Sequence, residues 1–125
     1  MFHRIKNLFV GQKLERQKQR LSKPEYAYLF DNPLSKVANE WVSLDLEMTG
    51  LNAKQDYILS VGAVQVRKES NGFVIDTDSA LSLVCRPPVM PTHDTIVIHG
   101  LRPIDVDNGL SYDEMLTQLL PMIKN

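Results

Sequence analysis

The sequence predicts an α/β domain of three mainly antiparallel strands with at least one packed helix, behind a basic N-terminal helical leader. Three patterns carry this expectation. Residues 41–48 alternate apolar and polar with period two, the signature of a strand with one buried face. Residues 57–67 (Tyr-Ile-Leu-Ser-Val-Gly-Ala-Val-Gln-Val-Arg) form a nearly continuous apolar, β-branched run, which suits a central strand buried on both faces. From Ser111 onward a capped, amphipathic helical pattern appears.

Residues 1–23 hold seven Lys or Arg against Glu15, so this stretch carries +6 and the remainder −7 within a net charge of −1. Leu8, Leu14 and Leu21 are too sparse for a core stripe, and the segment reads as a solvated leader able to touch a polyanion. Pro24 and Pro33 punctuate a linker with loose structure, which carries Tyr26, Tyr28, Leu29 and Phe30. The expected division is therefore a leader and linker at 1–36 and a domain at 37–125.

Within the domain, Val42, Leu44, Leu46 and Met48 fall on one face of the first strand, and Ser43, Asp45 and Glu47 on the other. Thr49-Gly50-Leu51-Asn52 ends it. Asn71-Gly72 signals a turn after the second strand. Phe73-Val74-Ile75 extend the returning arm, and residues 80–85 form the third strand, closed by Pro87-Pro88. Ser111 and Glu114 have the spacing of a capping box, with Asp113 complementing the helix dipole. Met115, Leu116, Leu119, Leu120 and Ile123 share one helical face, and Pro121 removes a backbone donor and should kink the helix.

Composition bounds the chemistry. Hydrophobic content of 43% and charged content of 23% are ordinary for a globular domain. Cys85 is the single cysteine, which excludes an internal disulfide and a cysteine-based zinc cluster. No apolar run approaches the roughly 18 residues of a membrane span, and the N-terminus lacks the long apolar core of a secretory signal. A cytoplasmic protein without membrane contact is the expectation.

The informative residues are Asp45 and Glu47. Two positions apart on a strand, both carboxylates leave the same face. Two anions held that close repel unless a cation neutralises them, and a hard dication such as Mg²⁺ or Mn²⁺ prefers oxygen ligands. The same alternation also fits the solvent face of an edge strand. His3 and His93 match no motif.

The segment Leu44-Asp45-Leu46-Glu47-Met48-Thr49-Gly50-Leu51, followed by Asp56-Tyr57-Ile58-Leu59-Ser60-Val61-Gly62-Ala63-Val64, resembles the opening motif of the DEDD-type 3′→5′ exonucleases. Ile98-His99-Gly100-Leu101 is similar to the Ile-His-Gly-Ile of their proofreading branch, typified by the DNA polymerase III ε subunit. The resemblance covers about residues 41–124 and implies the N-terminal part of a ribonuclease-H-like fold. It implies hydrolysis at nucleic-acid 3′ ends by two-metal catalysis with Mg²⁺ or Mn²⁺. Asp45 would bridge both ions and Glu47 would bind the one that activates water. Thr49, Gly50 and Leu51 would lie against the terminal nucleotide, with Ile98 and His99 flanking its sugar or base; His99 fits equally well as a turn residue satisfied by local backbone.

The family completes its site with a second Asp, then a His and a third Asp, and residues 1–125 hold no counterpart of these. Asp105, Asp107 and Asp113 lack the surrounding pattern. The expected activity is a 3′→5′ exonuclease on single-stranded DNA, with this chain inactive alone and a polymerase or another protein as a possible partner. Met48 gives the spelling Asp-Leu-Glu-Met-Thr-Gly of the oligoribonuclease branch, which leaves RNA open. A non-catalytic nucleic-acid-binding or regulatory remnant is the alternative.

Overall fold

The computed structural model describes residues 13–30 and 39–123. The chain divides into two compact units, Met1–Ala38 and Asn39–Asn125. In the first, residues 13–18 are helical, with Lys13, Arg16 and Arg20 exposed to solvent. Pro24–Phe30 forms a 3₁₀ helix where the sequence suggested a loose linker. Pro24 supplies the fixed φ that suits a first helical turn, which is the signal that reading missed. The rest of the leader and linker, 1–12 and 31–36, lies outside the described residues.

The second unit contains a three-stranded antiparallel sheet, β1 (Glu40–Met48), β2 (Ile58–Glu69) and β3 (Gly72–Val84), in the order β1-β2-β3. Helices α1 (His93–His99), α2 (Pro103–Val106) and α3 (Tyr112–Ile123) follow. The two expected pieces of the third strand are one long strand. Its pairing with β2 slips between Ala63 and Gln65, so residues 77–80 bulge out. The Ser79 hydroxyl stitches that bulge, accepting from the Gln65 N–H at 2.9 Å and donating to the Asp76 carbonyl at 2.6 Å.

One face of the sheet holds the core. Val61, Ala63, Leu83 and Cys85 pack against Met115 and Leu119 of α3, with Val42 and Leu46 half-buried beside them. Leu44 shares this side but stays 46% exposed, because the core centres on β2, β3 and α3. Burial raises the pKa of the Cys85 thiol. Contrary to the expectation of a strand buried on both faces, β2 covers only this side fully. Ser60, Gly62, Val64 and Val66 on the other side are half-buried. Farther along that outer face the Trp41 and Phe73 rings meet with centroids 5.7 Å apart.

Helix α3 begins as its sequence predicts. The Ser111 N–H and hydroxyl each donate to Glu114 Oε2 at 2.8 Å, and the Glu114 N–H donates to Ser111 Oγ at 3.3 Å. These bonds to Ser111 lower the Glu114 pKa. The helix runs past Pro121 to Ile123, which is 44% exposed rather than on the packed face. Two side-chain bonds lock it to β2: Tyr112 Oη to the Ile58 carbonyl at 3.0 Å, and Gln65 Nε2 to the Met122 carbonyl at 3.5 Å.

Helices α1 and α2 went unrecognised in the sequence. The run His-Asp-Thr-Ile-Val-Ile-His is rich in β-branched residues that favour strands, yet its ends carry helix punctuation. Thr92 and Thr95 bond reciprocally at the start, and Gly100 closes α1 in the left-handed conformation with its N–H on the Ile96 carbonyl. The loop leading into α3 then returns to the sheet. Cys85 and Leu110 form a parallel bridge, with Arg86 N–H to the Leu110 carbonyl and Leu110 N–H to the Val84 carbonyl, each at 2.9 Å.

That return requires Gly109. A Cβ there would stand 2.5 Å from the Cys85 carbonyl carbon and 2.8 Å from the Arg86 nitrogen, both backbone atoms unable to swing aside. Gly109→Ala is therefore expected to destabilise the fold by ~1–3 kcal/mol, the usual cost of overpacking. Urea unfolding checks this: the midpoint should fall while the slope stays constant.

Candidate functional site

Asp45 and Glu47 lie on β1 with their side chains on the outer face, opposite the core. Register places Asp45 across from Gly62 and Glu47 across from Ser60. Ser82 of β3 pairs with Gly62 in turn. The two acids thus stand beside a row of small residues, and a Cβ built on Gly62 would already lie 3.8 Å from the Asp45 Cβ. Asp45 is exposed and Glu47 half-buried, and neither carboxylate has a hydrogen-bond or ion-pair partner among the described residues. The ladder slips between Glu47 and Met48, a local irregularity of the kind that re-aims side chains at strand ends.

Beyond the slip, the chain forms a closed loop. The Thr49 N–H donates to the Tyr57 carbonyl at 2.9 Å, and the Tyr57 N–H donates back to Thr49 Oγ1 at 3.0 Å. Thr49 Oγ1 donates its own proton to Asp56 Oδ1 at 3.1 Å, and the Asn52 N–H donates to Asp56 Oδ2 at 2.8 Å. Asn52 turns the far side, its carbonyl accepting from the Gln55 and Asp56 N–H groups and its Oδ1 from the Lys54 N–H. Gly50 passes so close to Asp56 that a Cβ would stand 2.5 Å from Oδ2. Leu51 projects from the loop 95% exposed.

Ile98 and His99 sit at the end of α1, Ile98 84% exposed. His99 Nδ1 accepts from the Leu101 N–H at 3.0 Å. In the neutral ring this places the proton on Nε2, and Nε2 is buried without a partner among the described residues. Local backbone thus satisfies one nitrogen, as a turn residue requires, and leaves the other as an unused donor. Thr49, Gly50 and Leu51 directly continue the acidic strand; no hydrogen bond or ion pair joins Ile98 or His99 to it among the described residues.

The later acids have structural employment. Asp105 accepts from Arg102 Nε and Nη2, each at 2.9 Å, and from the Arg102 N–H at 2.8 Å; these bonds hold its pKa down to about 2. Asp107 pairs with Arg86 at 3.2 Å, and Asp113 lies in the first turn of α3. Among the described residues, no group of three or more His, Cys, Asp or Glu is gathered around a point that a metal could occupy. No described helix is long and apolar enough to cross a membrane.

A family model described as exonuclease, of the RNase T type, matches residues 42–125. The chain belongs to this exonuclease family. Its DEDD-type character agrees with the opening motif. No curated protein matches the chain. Among solved structures, E. coli exonuclease I in complex with a dT13 oligonucleotide is similar at 14% identity and a TM-score of 0.58, over 70% of this chain and 19% of that one. Cell-death related nuclease 4 is similar at 19% identity and a TM-score of 0.54, over 70% and 31%. These likenesses establish the fold, a mixed helix and strand arrangement matching part of a ribonuclease-H-like exonuclease domain. The chain spans 19% of the length of exonuclease I and 31% of that of cell-death related nuclease 4.

Asp56, quoted in the sequence only as part of the motif, emerges as the residue on which the exonuclease loop closes. Its spacing of four residues from Asn52 could have been read as a local side-chain-to-backbone signal. Thr49→Val, of nearly equal volume, removes the acceptor of the Tyr57 N–H and the donor to Asp56. The expected loss is about 1–3 kcal/mol, the cost of an unsatisfied half-buried polar group, seen as a lower melting midpoint in thermal unfolding followed by circular dichroism.

Proposed function

We propose that this chain carries the metal-binding strand and terminal-nucleotide loop of a 3′→5′ exonuclease acting on single-stranded DNA. The observation that carries the reading is the pair Asp45 and Glu47, two carboxylates on one sheet face beside Gly62 and Ser60 with no bonding partner among the described residues. Family membership supplies the reaction class. Likeness to an exonuclease I structure holding a dT13 oligonucleotide supports a single DNA strand as substrate.

The donor set suits a hard divalent cation. Both groups are carboxylates, both are unengaged among the described residues, and Gly62 brings no side chain into the space beside them. Asp45 and Glu47 would hold Mg²⁺ or Mn²⁺. Paired divalent ions, when bound, stabilise charge on the phosphoryl oxygens and supply a nucleophilic water at neutral pH. Thr49, Gly50 and Leu51 take the terminal nucleotide: the loop presents backbone at Gly50, while exposed Leu51 is an apolar wedge for the base. Ile98 offers a second, exposed apolar surface, and His99 stands next to it in the chain to flank the sugar or base. The exposed cations Lys13, Arg16 and Arg20 add salt-sensitive, sequence-independent affinity for the strand.

With two carboxylates and no third ligand grouped with them among the described residues, metal binding by the 125-residue chain is expected to be weak, with a Kd on the order of millimolar as for sparse carboxylate sites. Isothermal titration with Mn²⁺ should detect it, and Asp45→Asn should abolish it. Equal binding by the two proteins removes Asp45 from the site.

Catalysis needs ligands and a proton acceptor that act together, so the purified chain should not degrade a 3′-labelled oligonucleotide. A parent enzyme carrying the remaining motifs should shorten single-stranded DNA from its 3′ end and release mononucleotides. Matched DNA and RNA oligomers, blocked at either end, test this polarity. Cutting with the 3′ end blocked contradicts the mechanism, whereas strong preference for RNA of a few nucleotides follows the oligoribonuclease spelling at Met48.

A further inference from the structure

We infer that Asp56 is the positioning residue of the terminal-nucleotide loop: its carboxylate fixes Thr49, Gly50 and Asn52 and so presents the Gly50 and Leu51 N–H groups to the 3′-terminal nucleotide. The inference deepens the proposed function and rests on it.

The argument starts from the two ends of the loop. Asp56 Oδ1 accepts from the Thr49 hydroxyl and Oδ2 from the Asn52 N–H, so one carboxylate clamps the residues on either side of Gly50-Leu51. Hydrogen bonds to an ionised group are shorter and stronger than neutral ones, and here two converge on one side chain. The Asp56 backbone belongs to the same construction, its N–H bonded to the Asn52 carbonyl at 2.8 Å. Gly50 completes the clamp from above. With a Cβ, it would collide with Cγ and both carboxylate oxygens of Asp56, at 2.5 to 2.7 Å. Glycine at this position leaves the Asp56 carboxylate its place on the loop; its φ is not positive, so the crowding comes from that side chain and not from its own backbone angles.

The clamp also decides which loop groups remain for a ligand. The Thr49 hydroxyl is committed twice, donating to Asp56 and accepting from the Tyr57 N–H, and cannot donate to substrate. The Thr49 N–H is taken by the Tyr57 carbonyl and the Asn52 N–H by Asp56. Between them, the Gly50 and Leu51 N–H groups have no partner among the described residues. Two successive free N–H groups, held on a rigid loop directly after the acidic strand, are donors suited to a sugar hydroxyl or phosphate oxygen. Asp56 touches neither substrate nor metal in this scheme; it acts through the loop.

The test uses the uniformly ¹⁵N-labelled 125-residue chain, titrated with the oligonucleotide dT5 in the presence of Mn²⁺-free Mg²⁺ buffer. In the wild type, the Gly50 and Leu51 amide signals should shift on addition of dT5, and the Asn52 amide should be protected from hydrogen exchange before it. Asp56→Ala should lose the Asn52 protection and bind dT5 about tenfold more weakly, the factor expected when a charge-assisted bond that orders a binding loop is removed. Signals of the core residues Val61, Leu83 and Met115 should stay in place, which separates a local effect from unfolding. Asp56→Asn, which keeps one oxygen acceptor, should recover part of the affinity, and Gly50→Ala should reproduce the Asp56→Ala loss from the other side of the clamp. If wild type and Asp56→Ala respond to dT5 alike, or Asn52 stays equally protected in both, the positioning role is overturned while the exonuclease reading stands. A wild-type chain whose Gly50 and Leu51 signals ignore dT5 overturns that reading and the positioning role together.

Discussion

Everything at the site depends on the two-residue period of β1. With Leu46 held against Val61 on the core side, Asp45 and Glu47 have no choice but to leave through the other face. A register slip of one residue would bury both carboxylates among Val61, Ala63 and Leu83 and send Leu46 to solvent. The apolar packing of β2 against α3 therefore does more than stabilise the domain. It excludes the alternative register, at a desolvation cost no unpaired buried carboxylate could meet.

The same sheet divides its labour by face. The inner face is closed by Met115 and Leu119, and its polar connections to α3, through Tyr112 and Gln65, lie at the margins. The outer face is nearly bare near the acids, where Ser60, Gly62 and Ser82 take up little volume, and apolar at its far end, where Trp41, Phe73 and Ile75 are partly exposed. The acids sit where the neighbouring side chains are small, and the aromatic bulk sits at the other end of the face, opposite Lys68. An electrophilic or cationic ligand approaching Asp45 therefore meets little steric resistance from the sheet itself.

Much of this was legible in the sequence because it is periodic or local. The acid pair, the long second strand and the Ser111–Glu114 cap follow rules that operate over two to four residues. What escaped was set by competition or by distance. Helix α1 hid because Thr95, Ile96, Val97 and Ile98 favour strands, and only its ends reveal it. The continuity of β3 hid because residues 77–80 bulge, and the bulge is paid for by Ser79 bonding across strands. The half-covered outer face of β2 could not be read at all, since an apolar run of this kind looks the same whether one or both faces are packed. The importance of Asp56 was visible only once Thr49, Gly50 and Asn52 were seen to converge on it.

The clamp loop has a further property, which concerns the order of events during folding. None of its hydrogen bonds spans more than eight residues, from Thr49 to Tyr57, and the strands it joins pair directly with one another. Closing so short a loop costs little chain entropy, and contacts of low sequence separation form early. The acids and the loop beside them thus acquire their mutual geometry within a single hairpin, whereas the bonds that fasten α3 to β2 must bring together residues more than fifty positions apart. The acid-bearing segment is thus local in sequence, its geometry defined within one hairpin, whereas the helix that secures the sheet depends on long-range contacts.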